Sequence, residues 1–133
     1  PFKRLLKTRM EALDMDPSYA SRYLNEGFSG GERKKNEILQ MRVLDPKLAM
    51  LDETDSGLDV DAVRTVAKNI SEFHNEGNAL LLITHLNQLI RYIRPDHVHI
   101  LIGGRIVKEG GPELADEVEA NGFDAYRNAA GEA

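Results

Sequence analysis

The sequence predicts an α/β fold in which short apolar strands alternate with capped helices. Three observations predict it. Residues 48–51 (LAML) form an apolar run too short for a helix, ending in the adjacent carboxylates Asp52 and Glu53. Residues 79–83 (ALLLI) form a second such run, followed by Thr84 and His85. Ser29 stands three residues before Glu32 with Gly30 and Gly31 between, the spacing of a capping box that opens a helix.

Taken in order, residues 2–13 predict a helix, which Asp16-Pro17 closes while starting a short second one. The capped helix runs from Gly30 to about Leu44 and is stopped by Asp45-Pro46, because the residue before proline is pushed out of the helical region. Residues 48–51 then predict a buried strand. A helix follows from Val60 to about His74, with Asp59 as N-cap and Gly77 beyond its end. Residues 80–84 predict a second buried strand, and residues 87–93 a short helix stopped by Pro95. Residues 97–102 and 105–108 predict a hairpin turning on Gly103-Gly104. Residues 112–121 predict a helix with Pro112 near its first position and Gly122 just past its end. The tail from Arg127 to Ala133 is expected to fray. Ile38, Leu39, Val43 and Leu44 predict one core face, and Val63, Val66, Ala67 and Ile70 another, at spacings of three and four.

The polar residues carry a consistent chemistry. A helix start has free amides and the positive end of a dipole, so Ser29, Gly30 and Gly31 form a candidate anion site. Ligands of open α/β sheets gather outside the C-terminal ends of the strands. Asp52 is placed there to hold a hard cation through oxygen. Glu53 is placed to orient or deprotonate a water, and His85 to donate to a phosphate. Each feature alone has an ordinary reading: a capped helix, a solvated strand end, a surface histidine. Together they describe a site for the phosphates and magnesium of a nucleotide. Yet no G-x-x-x-x-G-K-[ST] occurs in the 133 residues.

In this order the motifs resemble those of the ATP-binding-cassette ATPases. Residues 28–32 (FSGGE) resemble the signature motif, residues 48–53 the Walker B strand with its catalytic glutamate, residues 56–59 the D-loop, and His85 the switch histidine. The resemblance spans roughly residues 25 to 110. It narrows to SufC-type ATPases of iron–sulfur assembly on residues 27–32 and 36–41, on Thr54 where transporter cassettes carry proline, on residues 98–99 and 104–108, and on residues 119–123. The implied fold is the C-terminal portion of a P-loop ATPase domain: a helical subdomain over residues 1–45, then an incomplete, mainly parallel sheet over residues 46–133. The resemblance puts a P-loop strand, not supplied by this chain, between strands 80–84 and 97–102. The isolated chain is therefore expected to expose apolar strand edges.

The resemblance further implies ATP and Mg²⁺ as cofactors and a head-to-tail pair of ATPase domains. Asp52 would serve as metal ligand and Glu53 and His85 as catalytic residues toward one nucleotide. Ser29, Gly30, Gly31 and Glu32 would meet the nucleotide of the facing domain, and Asp59 would tie the two sites together. Partners would be SufB- and SufD-like scaffolds. The alternatives are a transporter's ATP-binding subunit and a truncated, non-catalytic interaction module. Without a P-loop the chain alone is expected to be inactive, and its opening on Pro1 rather than Met fits a fragment.

Composition sets outer bounds. A chain of 133 residues with 41% hydrophobic and 29% charged content suits one globular domain at most. The longest apolar run, five residues, cannot span a bilayer, and the charged start is no secretory signal, so a cytoplasmic location and no membrane insertion are expected. Zero cysteines exclude a disulfide framework and a thiolate-held cluster, which other subunits would have to ligate. A net charge of −5 argues against a nucleic-acid partner. The one dense basic run, Arg33-Lys34-Lys35, has a solvated helix face as its plain reading.

Overall fold

The computed structural model describes residues 1–85 and 87–130. The chain forms two compact units, residues 1–93 and 94–133. The first contains α1 (Phe2–Ala12), a short 3₁₀ helix (Pro17–Ser21), α2 (Gly30–Leu44), β1 (Leu48–Asp52), α3 (Val60–Phe73), β2 (Ala79–Ile83) and α4 (Asn87–Ile93). The second contains β3 (Val98–Ile102), β4 (Arg105–Gly110), α5 (Pro112–Asn121) and α6 (Asp124–Ala130).

The element boundaries follow local chemistry. Asp16 caps the 3₁₀ helix by accepting from the Ser18 amide at 2.8 Å, with Pro17 fixing its first φ. Asp45 ends α2 in the left-handed region at φ +47°, a conformation that short polar side chains tolerate. Asp59 caps α3 by accepting from the Ala62 amide at 2.8 Å. β1 and β2 pair in parallel, Leu48 opposite Ala79 and Asp52 opposite Ile83. The crossover between them is α3, so both strand ends that carry the candidate site emerge at the same edge.

The core of this unit joins Ile38 and Leu39 of α2, Ala49 and Leu51 of β1, and Val66 and Ile70 of α3. Two expectations change here. The strands are half-buried rather than buried: Ala49 and Leu51 face the core, while Leu48 and Met50 are 56% and 69% exposed, and Leu81 and Ile83 lie open beside them. The side-chain period of two gives each strand two faces, and the described helices cover one. Leu44 is also outside, 74% exposed. It lies two residues past Arg42, about 200° around the helix, and so opposite the face that packs. Arg42 takes an inward position instead and pairs with Glu72 of α3 at 2.9 Å. Burial pulls its guanidinium below its ordinary pKa, and the Glu72 carboxylate acts in the other direction.

In the second unit β3 and β4 form an antiparallel hairpin whose register shifts between Ile100 and Leu101. Gly103 and Gly104 both take positive φ, +56° and +75°, as a two-residue type I′ turn requires. Leu114 and Val118 of α5 pack with Ile100 of β3, and Tyr126 of α6 packs against them. The expected fraying from Arg127 is corrected: Asp124–Ala130 is helical, with the Tyr126 hydroxyl donating to Glu117 of α5 at 2.7 Å. Residues 131–133 of that tail lie outside the described residues. Among the described residues no helix is long and apolar enough to cross a membrane.

Candidate functional site

The structure places the sequence-predicted residues in two groups. The first is the start of α2. The Glu32 amide donates to Ser29 Oγ at 3.2 Å, and the Ser29 amide donates to Glu32 Oε2 at 2.7 Å, completing the capping box. Because Ser29 Oγ is the acceptor in that pair, its own proton is left to donate elsewhere. The Tyr19 hydroxyl donates to Glu32 Oε1. This bond first, and the Ser29 bonds second, hold the Glu32 carboxyl below its ordinary pKa of 4.5. Tyr19 is itself braced, edge-on to Phe28 with ring centroids 4.5 Å apart and under the Arg22 guanidinium at 4.3 Å. Nothing in the sequence pattern pointed to Tyr19, because its link to Glu32 crosses an irregular loop.

Gly30 gives a direct test of what this helix start can accept. Among the described residues, a Cβ built there meets no atom beyond its chain neighbours and its own helix backbone within 4 Å, and one built at Gly31 meets Leu58 Cδ2 at an ordinary 3.5 Å. The chain's own packing does not demand glycine at either position, although glycine in a helix costs roughly 0.5–1 kcal/mol against alanine. The bare, exposed amide surface therefore fits an anion approaching from outside the chain.

The second group lies at the C-terminal ends of β1 and β2. Asp52 ends β1 on the face shared with Leu48 and Met50. A groove of about 420 Å³ runs from Glu37 and Gln40 to Asp52 and Thr54, leaving that carboxylate open to solvent. Glu53 turns the chain at φ +48°, and its amide donates to the Ile83 carbonyl at 2.8 Å. Its carboxylate lies 3.0 Å from His85 Nδ1. When Nδ1 carries the proton it donates to Glu53 and leaves Nε2 as the second functional atom of the ring. Both side chains are more than half exposed, at 51% and 63%, so the pair contributes about 0–1 kcal/mol to the fold. Stability does not explain it.

Next to this pair lie residues to which the sequence reading gave no role in the site. Asp55 is 2% exposed and accepts from the Thr84 hydroxyl at 2.9 and 3.1 Å. Thr54 is equally buried, and among the described residues its hydroxyl has no hydrogen-bond partner. A sequence signal for Asp55 existed only as polarity in the loop after Glu53; its burial depends on the neighbouring strand.

Among the described residues no hydrogen bond or ion pair joins the two groups. Asp59 serves as the cap of α3. Part of the basic run is tied down, Lys34 to Glu37 at 3.6 Å and Lys35 to the Asp14 carbonyl at 3.3 Å. No cluster of three or more metal-ligating side chains exists among the described residues. The strand-end carboxylate that does not face His85, Asp52, could hold a magnesium ion bound mostly by nucleotide oxygens and water rather than by a protein cage.

Helices over a parallel strand pair, an antiparallel hairpin, and acidic and histidine side chains at the strand ends match the fold of part of an ATP-binding cassette. The structure matches the ATP-binding cassette MJ1267 of an ABC transporter in its ADP conformation, with a TM-score of 0.65 and 26% identity over 89% of this chain and 46% of that one. A second structure of MJ1267 matches with a TM-score of 0.67.

In sequence the chain is 54% identical to Vegetative protein 296 of Bacillus subtilis over 123 residues, 92% of this chain and 47% of that protein. It is 52% identical to the probable ATP-dependent transporter ycf16 of Cyanophora paradoxa over 92% of this chain and 48% of that one. It is 49% identical to a probable ABC transporter ATP-binding protein of Streptococcus pyogenes over 89% of this chain and 46% of that one. The chain thus spans about half the length of the curated relatives it matches. No family model matches it.

Proposed function

We propose that the chain is the C-terminal part of an ATP-binding-cassette ATPase and supplies half of the machinery for ATP hydrolysis in the complete protein. The observation that carries this reading is the meeting of Glu53 and His85 at 3.0 Å beside Asp52, at the C-terminal ends of two parallel strands. Asp52 would hold Mg²⁺, which when bound would supply charge neutralisation at the nucleotide phosphates. Glu53 orients and deprotonates the attacking water. His85 holds a proton toward the terminal phosphate from the ring nitrogen not facing Glu53. Ser29 and the Gly30 and Gly31 amides bind the phosphates of a nucleotide held by a facing cassette, with Glu32 fixing their helix start. Asp59 couples the two sites. The P-loop donors absent from this sequence come from elsewhere in the protein; losing even one preorganised donor costs about 3–4 kcal/mol of barrier, so the chain alone is inactive. Residues 1–45 form the helical subdomain and residues 46–133 the remaining part of the ATPase core.

The names of the relatives favour an ATP-dependent transporter subunit, which would work with a membrane partner. A second reading, a SufC-type ATPase acting on SufB- and SufD-like scaffolds, draws support from Phe28, Glu32 and Thr54 at the motif positions. Affinity capture separates them: a polytopic membrane protein supports the first, a cysteine-bearing soluble scaffold the second.

Glu53→Gln in the complete protein tests the shared part. ATP binding stays intact while turnover falls by about 10²- to 10⁴-fold. Unchanged turnover would refute Glu53 as the base.

A further inference from the structure

We propose that Asp55 and Thr84 are positioning residues that hold Glu53 and His85 in register; the kinetic part of the test below rests on the ATPase reading, the spectroscopic part does not. The two pairs are adjacent rungs between the same two segments. Asp55 lies two residues after Glu53, and Thr84 lies immediately before His85. The upper rung, Glu53–His85, stands in water and is screened there. The lower rung, Thr84 to Asp55, is enclosed, with Asp55 2% exposed.

Glu53 needs such a brace. Its φ of +48° is uncommon for a residue with a side chain and persists only when the surroundings over-determine it. The surroundings here are few and identifiable. The Glu53 amide bonds to the Ile83 carbonyl at 2.8 Å, and the Ser56 amide bonds back to the Glu53 carbonyl at 3.2 Å. The Leu58 amide bonds to the Asp55 carbonyl at 3.3 Å. These fix the backbone turn, and among the described residues the Asp55 carboxyl bonds from this loop to the strand end that bears His85 in a place shielded from water. A hydrogen bond sets distance and direction, which an apolar contact does not. Threonine adds a stiff χ1, so its hydroxyl is aimed rather than free to rotate away.

The test compares shape with bond. Thr84→Val keeps the branched shape and loses the hydroxyl, whereas Thr84→Ser keeps the hydroxyl and loses the methyl. In the complete protein, Thr84→Val is expected to lower kcat by about 10- to 100-fold with KM for MgATP changed less than about twofold, and Thr84→Ser to restore most of it. At one fixed pH, the long-range ¹H–¹⁵N spectrum of the His85 ring is expected to lose its hydrogen-bonded Nδ1 signature in Thr84→Val and to regain it in Thr84→Ser. Wild-type kcat in Thr84→Val, or equal loss in both variants, overturns the proposal. If the unmodified protein turns over no ATP, the ATPase reading falls and the ring spectrum alone decides; a Thr84→Val spectrum identical to wild type then overturns the proposal. Should Thr84→Val lose its cooperative melt, the paired variant Asp55→Leu with Thr84→Val, which leaves no buried carboxylate, is read in its place by the same criteria.

Discussion

The start of α2 and the ends of β1 and β2 are built in opposite ways. The serine group is local: Ser29 and Glu32 satisfy each other within one helical turn, and Tyr19 adds a single outside brace. The Glu53–His85 group is remote in sequence, its members 32 positions apart, and exists because two strands pair in one register across a helix. The difference teaches where each fails. The first survives any change that leaves one turn of helix intact. The second is lost whenever the sheet shifts, since slipping a strand by one residue exchanges its two faces.

The sharpest way to break the comparison is through the shared core. Ile70→Ala hollows the helix face that packs under the strands and is expected to destabilise the fold by about 2–5 kcal/mol in chemical denaturation. Near the midpoint the Glu53–His85 contact should vanish with the global transition, while a peptide of residues 28–44 keeps its residual helicity regardless. Equal loss in both would erase the distinction.

Ser29→Ala acts on the local group alone. It is expected to cost about 1 kcal/mol by urea titration and to leave the His85 ring spectrum unmoved.

A smaller effect appears in acid. Glu32 has a folded pKa held below 4.5, chiefly by Tyr19. Its contribution to stability is therefore fully present above that ordinary value and is lost as the pH falls through the lower folded one. Tyr19→Phe removes the largest cause, so the folded value returns toward 4.5 and the stability lost as the pH falls below that value shrinks. A wild-type acid profile in Tyr19→Phe would show that the brace is not what lowers the carboxyl.

The smallest change is expected at Thr54→Val. Its hydroxyl is buried without a partner among the described residues, so an isosteric methyl is expected to be neutral or stabilising by up to about 1 kcal/mol in thermal melts. A clear loss of stability would mean the hydroxyl is satisfied after all.

What the sequence by itself determined follows from interactions that close within a few residues. The capping box, the Asp59 cap, the Gly103-Gly104 turn and the stops at Asp45 and Gly122 are all readable, because each needs only neighbours along the chain. The strand-end placement of Asp52, Glu53 and His85 was also legible, since a short apolar run bounded by polar residues fixes where a strand must stop. Tertiary structure decided the rest. Leu48 and Met50 read as core and lie exposed, because burial needs a second layer and not only an apolar side chain. Arg42 and Asp55 carry charge yet lie inside, because Glu72 and Thr84 reach them from segments about 30 residues away, each with its own partner in reach. The bonds that turn two strand ends into one site are long-range, and no local pattern records them.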